Sequence, residues 1–262
     1  MPIRNSEKEW ERLGKSDPYY GVVSMDKFRN GNMDSSAKDA FFRSGHEHID
    51  FILNTIRDKI DPEFAPQRAL DFGSGVGRCA IPLAKHCEKV VGMDVSPSML
   101  EEARVNCREL ETDNIEHVLG DGDLSSFSEG FDLIHSFIVF QHINPKKGEK
   151  ILKGMLDKLN ANGVLAVQML YTREESPLVK LLGWLRIRVP LVHNFANLFY
   201  GKSFSEPLME KNCYDLNKVM HIVHTSGCGN VYAMCQGKGR LKSILLFIQN
   251  RPHEVPYDSF YE

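Results

Sequence analysis

The chain has 262 residues, with 32 Lys and Arg against 35 Asp and Glu, a formal net charge of -3 and 42% hydrophobic residues. This composition is typical of an ordered globular protein and excludes a disordered chain. The slightly acidic balance disfavours duplex nucleic acid as the main partner, because binding to phosphates needs an excess of Lys and Arg. The chain is long enough for one large α/β domain or two small ones, and the absence of internal repeats favours one continuous fold.

Neither targeting nor membrane insertion is indicated by the sequence. Residues 1–17 are charged throughout and lack the apolar core of a signal peptide. No uninterrupted apolar run reaches the roughly 20 residues that span a bilayer. The six cysteines form no CxxC pair, and their scatter is typical of reduced thiols. We therefore expect a cytoplasmic protein without stable membrane insertion.

The first 171 residues divide into a helical part and an alternating part. Residues 1–65 are predicted to be a helical cap, because apolar residues recur there at the spacing of an amphipathic helix. From residue 66 onward, short apolar runs alternate with helical segments, which is the pattern of βαβ units and a parallel sheet. The predicted strands are 68–72, 89–94, 115–119, 131–137 and 163–170, and the predicted helices between them are 79–85, 99–110 and 147–159.

The remaining chain contains an insert and a terminal hairpin. Residues 172–212 form a long insert before a predicted helix over 216–224. Two apolar runs, 230–236 and 243–249, then flank a glycine-containing loop, which predicts a β-hairpin. We therefore expect a single domain in four parts: the cap 1–65, a core 66–171, the insert 172–212, and the last helix with the hairpin, 213–262.

The stretch from Asp71 to Arg78, DFGSGVGR, is the most informative motif. Its glycines lie between a predicted strand and a predicted helix, where the backbone can approach a ligand and helix N–H groups face it. Asp94 ends the next strand, 21 residues after Gly73, where a carboxylate can accept both hydroxyls of a ribose. Arg78 stands in place of the third glycine of G-x-G-x-x-G, which disfavours a nicotinamide cofactor.

Four segments together resemble the class I S-adenosylmethionine-dependent methyltransferases. They are residues 70–77 (LDFGSGVG), 91–100 (VGMDVSPSML), 120–122 (GDG) and 131–143 (FDLIHSFIVFQHI). The resemblance implies an α/β, Rossmann-like, doubly wound seven-stranded sheet with an antiparallel last strand, in agreement with the predicted hairpin. It also implies S-adenosylmethionine as the cofactor, bound by the core 66–171.

The resemblance implies a role for each matching residue. Asp71 would face the methionine amino group, directly or through water, and Gly73 and Gly75 would let the chain pass close to the cofactor. The other implied contacts are Asp94 at the ribose, Val95 and Met99 at the adenine, Asp121 with Gly122 at the adenine amino group (Asp123 being the alternative acceptor), and Ser136 with Phe137 at the methionine and methyl region. Turn geometry for the glycines and Asp121, helix capping for Asp94 and core packing for Met99 remain structural alternatives.

A general base is needed only if the methylated nucleophile must lose a proton, because the reaction is an in-line displacement at a sulfonium. His142 is the candidate base, since it follows the fourth strand at the carboxyl edge, where α/β sites lie. The alternative is a structural histidine at the start of the next helix. His135 lies inside the strand and is predicted to be a core residue.

No metal site is predicted. The pairs His46/His48 and His221/His224 have helical spacing, but neither has a cysteine or a clear cluster of carboxylates beside it. We interpret both pairs as helical histidines on solvated faces and expect no metal cofactor.

The acceptor side is expected in the N-terminal helices and the insert, which usually determine acceptor specificity in the family. The insert interleaves large apolar residues with Lys180, Arg186 and Arg188. Such a segment would form a lid over the acceptor, a core or homodimer face, or a contact with a membrane surface.

The opening of the chain also resembles, on short motifs, bacterial methyltransferases that modify sugars and other natural-product hydroxyls. These motifs are Trp10, residues 17–20 (DPYY), residues 41–45 (FFRSG), Met209 and Tyr214. In that subgroup Tyr19 or Tyr20 and Phe42 would close over the cofactor. The alternative is a stripe of aromatic residues that packs helices together.

The combined expectation is an S-adenosylmethionine-dependent O-methyltransferase acting on a small-molecule hydroxyl, with sugars among the candidates. Transfer to nitrogen or carbon of another acceptor, and a cofactor-binding module without catalysis, remain alternatives. A nicotinamide-dependent oxidoreductase is disfavoured by Arg78.

Overall fold

The structure, a computed structural model, describes residues 6–176 and 209–251 and, between them, 179, 182, 183, 185, 189, 192–199, 204, 206 and 207. Seven strands form one sheet: β1 (Arg68–Phe72), β2 (Lys89–Asp94), β3 (Ile115–Leu119), β4 (Phe131–Ser136), β5 (Leu159–Arg173), β6 (Asn230–Lys238) and β7 (Leu241–Gln249). Their order is β3-β2-β1-β4-β5-β7-β6. The first five strands are parallel neighbours, whereas β7 is antiparallel to β5 and β6. The expected Rossmann-like sheet with an antiparallel last strand is confirmed.

The described α-helices lie before, between and after the strands. They are α1 (Ser6–Ser16), α2 (Pro18–Val22), α3 (Ser35–Lys59), α4 (Ala80–Ala84), α5 (Pro97–Glu109), α6 (Pro145–Asp157), α7 (Val192–Phe199) and α8 (Leu216–Thr225). Helix α5 begins at Pro97, two residues before the predicted start at residue 99. The Ser96 hydroxyl caps it by accepting a hydrogen bond from the Met99 N–H at 3.2 Å, and Pro97 occupies the first turn. Within the described residues, no helix combines the length and apolarity needed to cross a bilayer.

The sheet is buried on both faces, as parallel sheets usually are. Along β1, Leu70 and Phe72 point into a core with α6 and α8, while Ala69 points into a second core with α3 and α4. This alternation follows from the two-residue period of a strand. Asp71 shares the face of Ala69, and it therefore points toward α3.

A third cluster attaches the N-terminal helices to the core. The aromatic residues Tyr19, Phe28, Phe41 and Phe42 pack edge to face around Phe41, and the cluster also contains Val76 and Met99. The Tyr19 hydroxyl is 2.7 Å from a Glu102 carboxylate oxygen, to which it donates. The cap is thus anchored on the loop after β1 and on α5.

Strand β5 is longer than the predicted 163–170. Its first residues pair with β4 at Phe131, and its last residues pair with Lys242 and Leu241 of β7. The extension depends on partners distant in sequence, which local patterning does not encode. Lys180, Arg186 and Arg188, on which the lid hypothesis drew, lie outside the described residues.

Candidate functional site

A cavity of about 590 Å³ lies at the carboxyl ends of β1, β2 and β4. Ligands of doubly wound sheets bind at this edge, and the volume is in the range of small-molecule sites. The strand ends contribute the loop after β1, the Asp94–Val95 pair after β2 and the Phe137–Val139 segment after β4. Residues of α1 and α2 and residues 209 and 211 complete the wall.

Two glycines of the loop after β1 have backbone conformations and surroundings that exclude a side chain. Gly73 has φ of +75° and Gly75 has φ of +54°, which L side chains rarely adopt. A Cβ on Gly73 would lie 2.4 Å from a Val139 methyl carbon, and one on Gly75 would lie 2.5 Å from a Val22 methyl carbon. Bare backbone therefore lines the cavity, as close approach to a ligand requires.

The Asp94 carboxylate lies half-buried beside this loop. One of its oxygens accepts from the Gly75 N–H and the other from the Ser96 N–H, both at 2.9 Å. Burial raises the pKa of Asp94, and the two backbone hydrogen bonds oppose that shift. Because each carboxylate oxygen accepts more than one hydrogen bond, both remain able to accept from a ligand hydroxyl. The helix-capping hydroxyl belongs to Ser96 rather than to Asp94.

The residues expected at the adenine lie in different environments. Val95 and Met99 line the cavity, and Met99 also packs in the third apolar cluster. Asp121 lines it as well, with its exposed carboxylate 2.9 Å from the Lys147 ammonium. This hydrogen bond and the charge of Lys147 lower the pKa of Asp121.

The two residues after Asp121 do not line this cavity. Gly122 and Asp123 line a separate hollow beside α6, to which Asp121 also contributes, and a Cβ on Gly122 would lie 2.6 Å from a side-chain carbon of Ile151. The Asp123 carboxylate is exposed and accepts from the Ser125 N–H at 2.9 Å. Of the two acids considered for the adenine amino group, only Asp121 therefore lines the cavity.

Asp71 and Ser136 lie beneath the cavity floor rather than on it. Asp71 is buried, with one carboxylate oxygen 2.7 Å from Nδ1 of His135. The Ser136 hydroxyl donates to the Phe72 carbonyl at 3.1 Å and thus links β4 to β1. Phe137 lines the cavity. The predicted core position of His135 is confirmed, since the residue is 1% exposed.

His142 also lines the cavity and is buried. Its Nδ1 lies 2.6 Å from the Glu210 carbonyl, which only accepts, so the ring proton is on Nδ1. Its Nε2 lies 3.0 Å from the Gln141 amide nitrogen, which donates to it. Burial lowers the pKa of His142 to about 4. The ring is therefore neutral near pH 7, with the lone pair on Nε2.

The structure corrects the expectation for the aromatic residues of the cap. Tyr19 and Phe42 pack in the third cluster, and the Tyr20 ring lies 3.7 Å from the Arg29 guanidinium. None of the three lines the cavity, so the helix-packing alternative holds. Trp10 of α1 faces the cavity instead, with its ring edge-on to His142 at a centroid distance of 4.9 Å.

Several residues that line the cavity have no role predicted from the sequence, among them Val22, Ile138, Val139 and Lys211. Ile138 has φ of +64°, an outlier for a β-branched residue. Its N–H donates to the Gln168 side chain at 3.3 Å. The only local signal was the apolar run that continues beyond β4, and this run did not distinguish cavity wall from core.

His48 does not lie on a solvated face, so the interpretation of the His46/His48 pair is wrong for this residue. Its Nε2 is 3.0 Å from Nε2 of His135, and its ring stacks on Phe137 at 4.1 Å. Cys79 lies within 4.8 Å of both imidazoles, although no cysteine is near His48 in sequence. His221 and His224 are exposed on α8, as expected.

The methyltransferase domain family matches residues 69–163 of the chain. An uncharacterised methyltransferase of Synechocystis sp. is 30% identical over 102 residues, which cover 38% of this chain and 46% of that protein. A 23S rRNA (uracil-C5)-methyltransferase of Shewanella piezotolerans is 34% identical over 120 residues, which cover 44% of this chain and 25% of that protein. The chain thus spans less than half the length of these curated relatives.

Among solved structures, the chain is similar to the magnesium protoporphyrin IX methyltransferase of Synechocystis with bound S-adenosylhomocysteine. The two superpose with a TM-score of 0.60 at 16% identity, covering 93% of this chain and 99% of the other. At this identity the similarity concerns the fold, and it extends over nearly the whole of both chains.

Proposed function

We propose that the chain, whose residues 69–163 match the methyltransferase domain family, uses S-adenosylmethionine to methylate a small-molecule acceptor, with a hydroxyl oxygen as the methylated atom. One observation carries the proposal. The same cavity is lined both by the glycine loop with Asp94 and by a buried neutral histidine, His142. We call the first group of lining residues the first or cofactor end, and the group around His142 the second or acceptor end. The first end suits a nucleoside cofactor and the second suits an acceptor that must lose a proton.

The residues at the first end fit the cofactor. The backbone at Gly73 and Gly75 leaves room that a Cβ would fill, and Asp94 offers carboxylate oxygens to ribose hydroxyls. Met99 and Val95 provide apolar surface for an adenine ring. When bound, S-adenosylmethionine supplies a methyl group on a sulfonium sulfur, which is a good leaving group. The protein then has mainly to hold the nucleophile in line with that methyl group.

The residues at the second end can accept a proton. An acceptor hydroxyl that replaces the Gln141 amide at Nε2 of His142 would donate its proton to that nitrogen. The Glu210 carbonyl, hydrogen-bonded to Nδ1, stabilises the resulting imidazolium. Because burial lowers the pKa of His142 to about 4, the base is deprotonated at neutral pH but weak. Proton transfer is thus favourable only when it accompanies methyl transfer.

The enclosure of the cavity favours a small acceptor. Trp10 and Ser6 of α1, Val22 of α2 and Met209 all contribute to its wall, so a bound acceptor would be surrounded by protein. The net charge of -3 also disfavours a polyanionic acceptor. The similarity to an rRNA methyltransferase covers only 25% of that protein, and RNA is therefore included in the test as an alternative acceptor.

The test is transfer of a labelled methyl group from S-adenosylmethionine to a panel of acceptors: sugar and natural-product hydroxyls, primary amines, and ribosomal RNA fragments. We expect label on a hydroxyl compound. His142→Gln should lower kcat on that compound by about 100-fold or more, the usual contribution of a general base. His221→Gln, an exposed histidine on α8, is the matched control and should leave kcat unchanged. Label only on RNA, or equal kcat for both variants, would contradict the proposal.

A further inference from the structure

Three polar side chains form a chain of contacts beneath the cavity floor. Asp71 on β1 and His135 on β4 are register partners, and both are almost fully buried. A carboxylate oxygen of Asp71 lies 2.7 Å from Nδ1 of His135, and Nε2 of His135 lies 3.0 Å from Nε2 of His48 on α3. Burying such a network of polar side chains is unfavourable unless its members form hydrogen bonds with one another.

The hydrogen bonds fix the orientation of His135. Because the carboxylate accepts, Nδ1 of His135 carries a proton that it donates to Asp71. Burial lowers the pKa of His48 to about 2, with further effects from the charges of His135 and Arg78, so His48 is neutral. The His135 ring is thus held between a carboxylate on one side and a neutral imidazole on the other.

One atom of this network has no hydrogen-bond partner among the described residues. The second carboxylate oxygen of Asp71, Oδ2, is buried and accepts no hydrogen bond from the described residues. A buried acceptor in this state is unfavourable until a donor reaches it. Asp71 does not line the cavity itself, but Phe72 and Gly73, which follow it directly, both do. Phe137, two residues after His135, lines it too and stacks on His48.

We propose that His135, supported by His48, is a positioning residue that orients Asp71 so that Oδ2 accepts from the cationic α-amino group of the cofactor. The proposal rests on the proposed function. His135 holds Oδ1 and leaves Oδ2 as the free acceptor, and His48 keeps the His135 ring from rotating. The arrangement therefore places one directed acceptor beneath the amino-acid end of the cofactor, rather than a carboxylate that must be reoriented on binding.

A metal ion at His48, Cys79 and His135 is a poorer explanation of the same cluster. Burial raises the pKa of the Cys79 thiol to about 12, which opposes the loss of the proton that metal ligation requires. The Arg78 guanidinium lowers the pKa of His48 by its positive charge, and the same charge would repel a metal cation. The 3.0 Å separation of the two Nε2 atoms is that of a hydrogen bond.

The test compares two ligands that differ in the amino-acid part. Calorimetry with S-adenosylhomocysteine, which has the α-amino group, and with methylthioadenosine, which lacks it, is performed on the wild type and on His135→Leu, His135→Asn and His48→Leu. We expect His135→Leu to bind S-adenosylhomocysteine about tenfold more weakly, the effect of one hydrogen bond to a charged group, and methylthioadenosine unchanged. His135→Asn keeps a donor at the Nδ1 position and should retain wild-type affinity. His48→Leu should show a smaller loss than His135→Leu.

His117→Leu is the matched control, because His117 is a half-buried histidine on β3, two strands away from β1, and contacts Cys107 rather than Asp71. It should change neither affinity. Equal weakening of both ligands by His135→Leu, or an Asn variant as weak as the Leu variant, would overturn the proposal. A wild type that binds neither ligand would instead overturn the proposed function.

A measurement on the ligand-free wild type keeps the proposal testable if His135→Leu does not fold. Long-range ¹H–¹⁵N NMR correlations report which ring nitrogen of a histidine is protonated. We expect a protonated Nδ1 on His135, and a shift of that signal in Asp71→Asn. An unprotonated Nδ1 would contradict the orientation on which the inference depends.

Discussion

The two ends of the cavity are built in different ways. The cofactor end comes from strand ends and the turns that follow them, at Gly73, Gly75, Asp94 and Val95, within 23 residues of one another in the sequence. The acceptor end combines Trp10 from the first helix, the Phe137–Asn144 segment after β4, and Met209 with Lys211 from the end of the insert. The first end is a local motif, whereas the second is an assembly of distant segments.

This difference has consequences for what each end tolerates. Backbone lines the cofactor end, so a substitution there meets fixed neighbours and a fixed φ angle. Side chains line the acceptor end, and the ring nitrogen of His142 that carries the proton is determined by the carbonyl of Glu210, 68 residues away. We therefore expect changes at the first end to act on cofactor affinity and changes at the second to act on acceptor turnover and on the pH dependence of stability.

The largest effect is expected from Gly73→Ala. The new Cβ would lie 2.4 Å from one methyl carbon of Val139 and 2.7 Å from the other, at a φ of +75°. The loop must move away, and S-adenosylhomocysteine affinity measured by calorimetry should fall by about 100-fold or more, since positional strain and lost contacts together amount to roughly 3 kcal/mol. Gly154→Ala on α6, where a Cβ would meet no atom within 4 Å, is the control and should bind normally. Normal binding by Gly73→Ala would show that the backbone does not contact the cofactor.

The pH dependence of stability distinguishes the buried base from an exposed histidine. Because the pKa of His142 is about 4 in the folded protein and 6.5 is its ordinary value, the unfolded chain binds more protons between these values. A neutral His142 therefore contributes fully to the free energy of unfolding above pH 6.5. This contribution is lost as the pH falls toward 4, and it does not change further below that pH. Urea unfolding between pH 7.5 and 4 should show the wild type losing about 3 kcal/mol more than His142→Gln. Parallel pH profiles for the two proteins would contradict a buried neutral ring.

The smallest effect is expected from Lys147→Met. The Lys147 ammonium contacts Glu7 of α1 at 3.1 Å and Asp121 at 2.9 Å, and it thus joins the N-terminal helix to the cofactor end. All three side chains are substantially exposed, so these ion pairs contribute about 1 kcal/mol or less. Lys147→Met should weaken S-adenosylhomocysteine binding by less than about fivefold, and the control Lys150→Met on the same helix should not. Tighter binding would instead mean that Lys147 competes with the ligand for Asp121.

The sequence predicts the strands and turns at the cofactor end well because their signals are local. The strand bounds 68–72, 89–94 and 115–119 agree with the structure, since each strand is a short apolar run between polar residues. The glycines and the acid that line this end follow those strands within a few residues. The sequence could not decide whether Asp121 or Asp123 lines the cavity, because both acids lie in the same stretch of turn-forming residues.

The acceptor end and the buried chain beneath the floor depend on contacts that no local pattern encodes. His48 resembles any helical histidine in sequence, and only the packing of α3 on the sheet brings it to His135, 87 residues away. The aromatic residues of the cap have the same helical spacing whether they cover a ligand or fill a core, and here they fill a core. The tautomer of His142 follows from Gln141 beside it and Glu210 far along the chain, and only the first of these contacts is between neighbours in sequence.

The proposed function requires that the cavity bind S-adenosylmethionine through the glycine loop and Asp94. Calorimetric titration of the wild type and of Asp94→Ala with S-adenosylmethionine, S-adenosylhomocysteine and NAD tests it most directly. We expect micromolar binding of the two sulfur-containing ligands, no binding of NAD, and about 100-fold weaker binding by Asp94→Ala, because two hydrogen bonds to a charged group are lost. Binding of NAD in place of the sulfur-containing ligands, or undiminished affinity in Asp94→Ala, would contradict it.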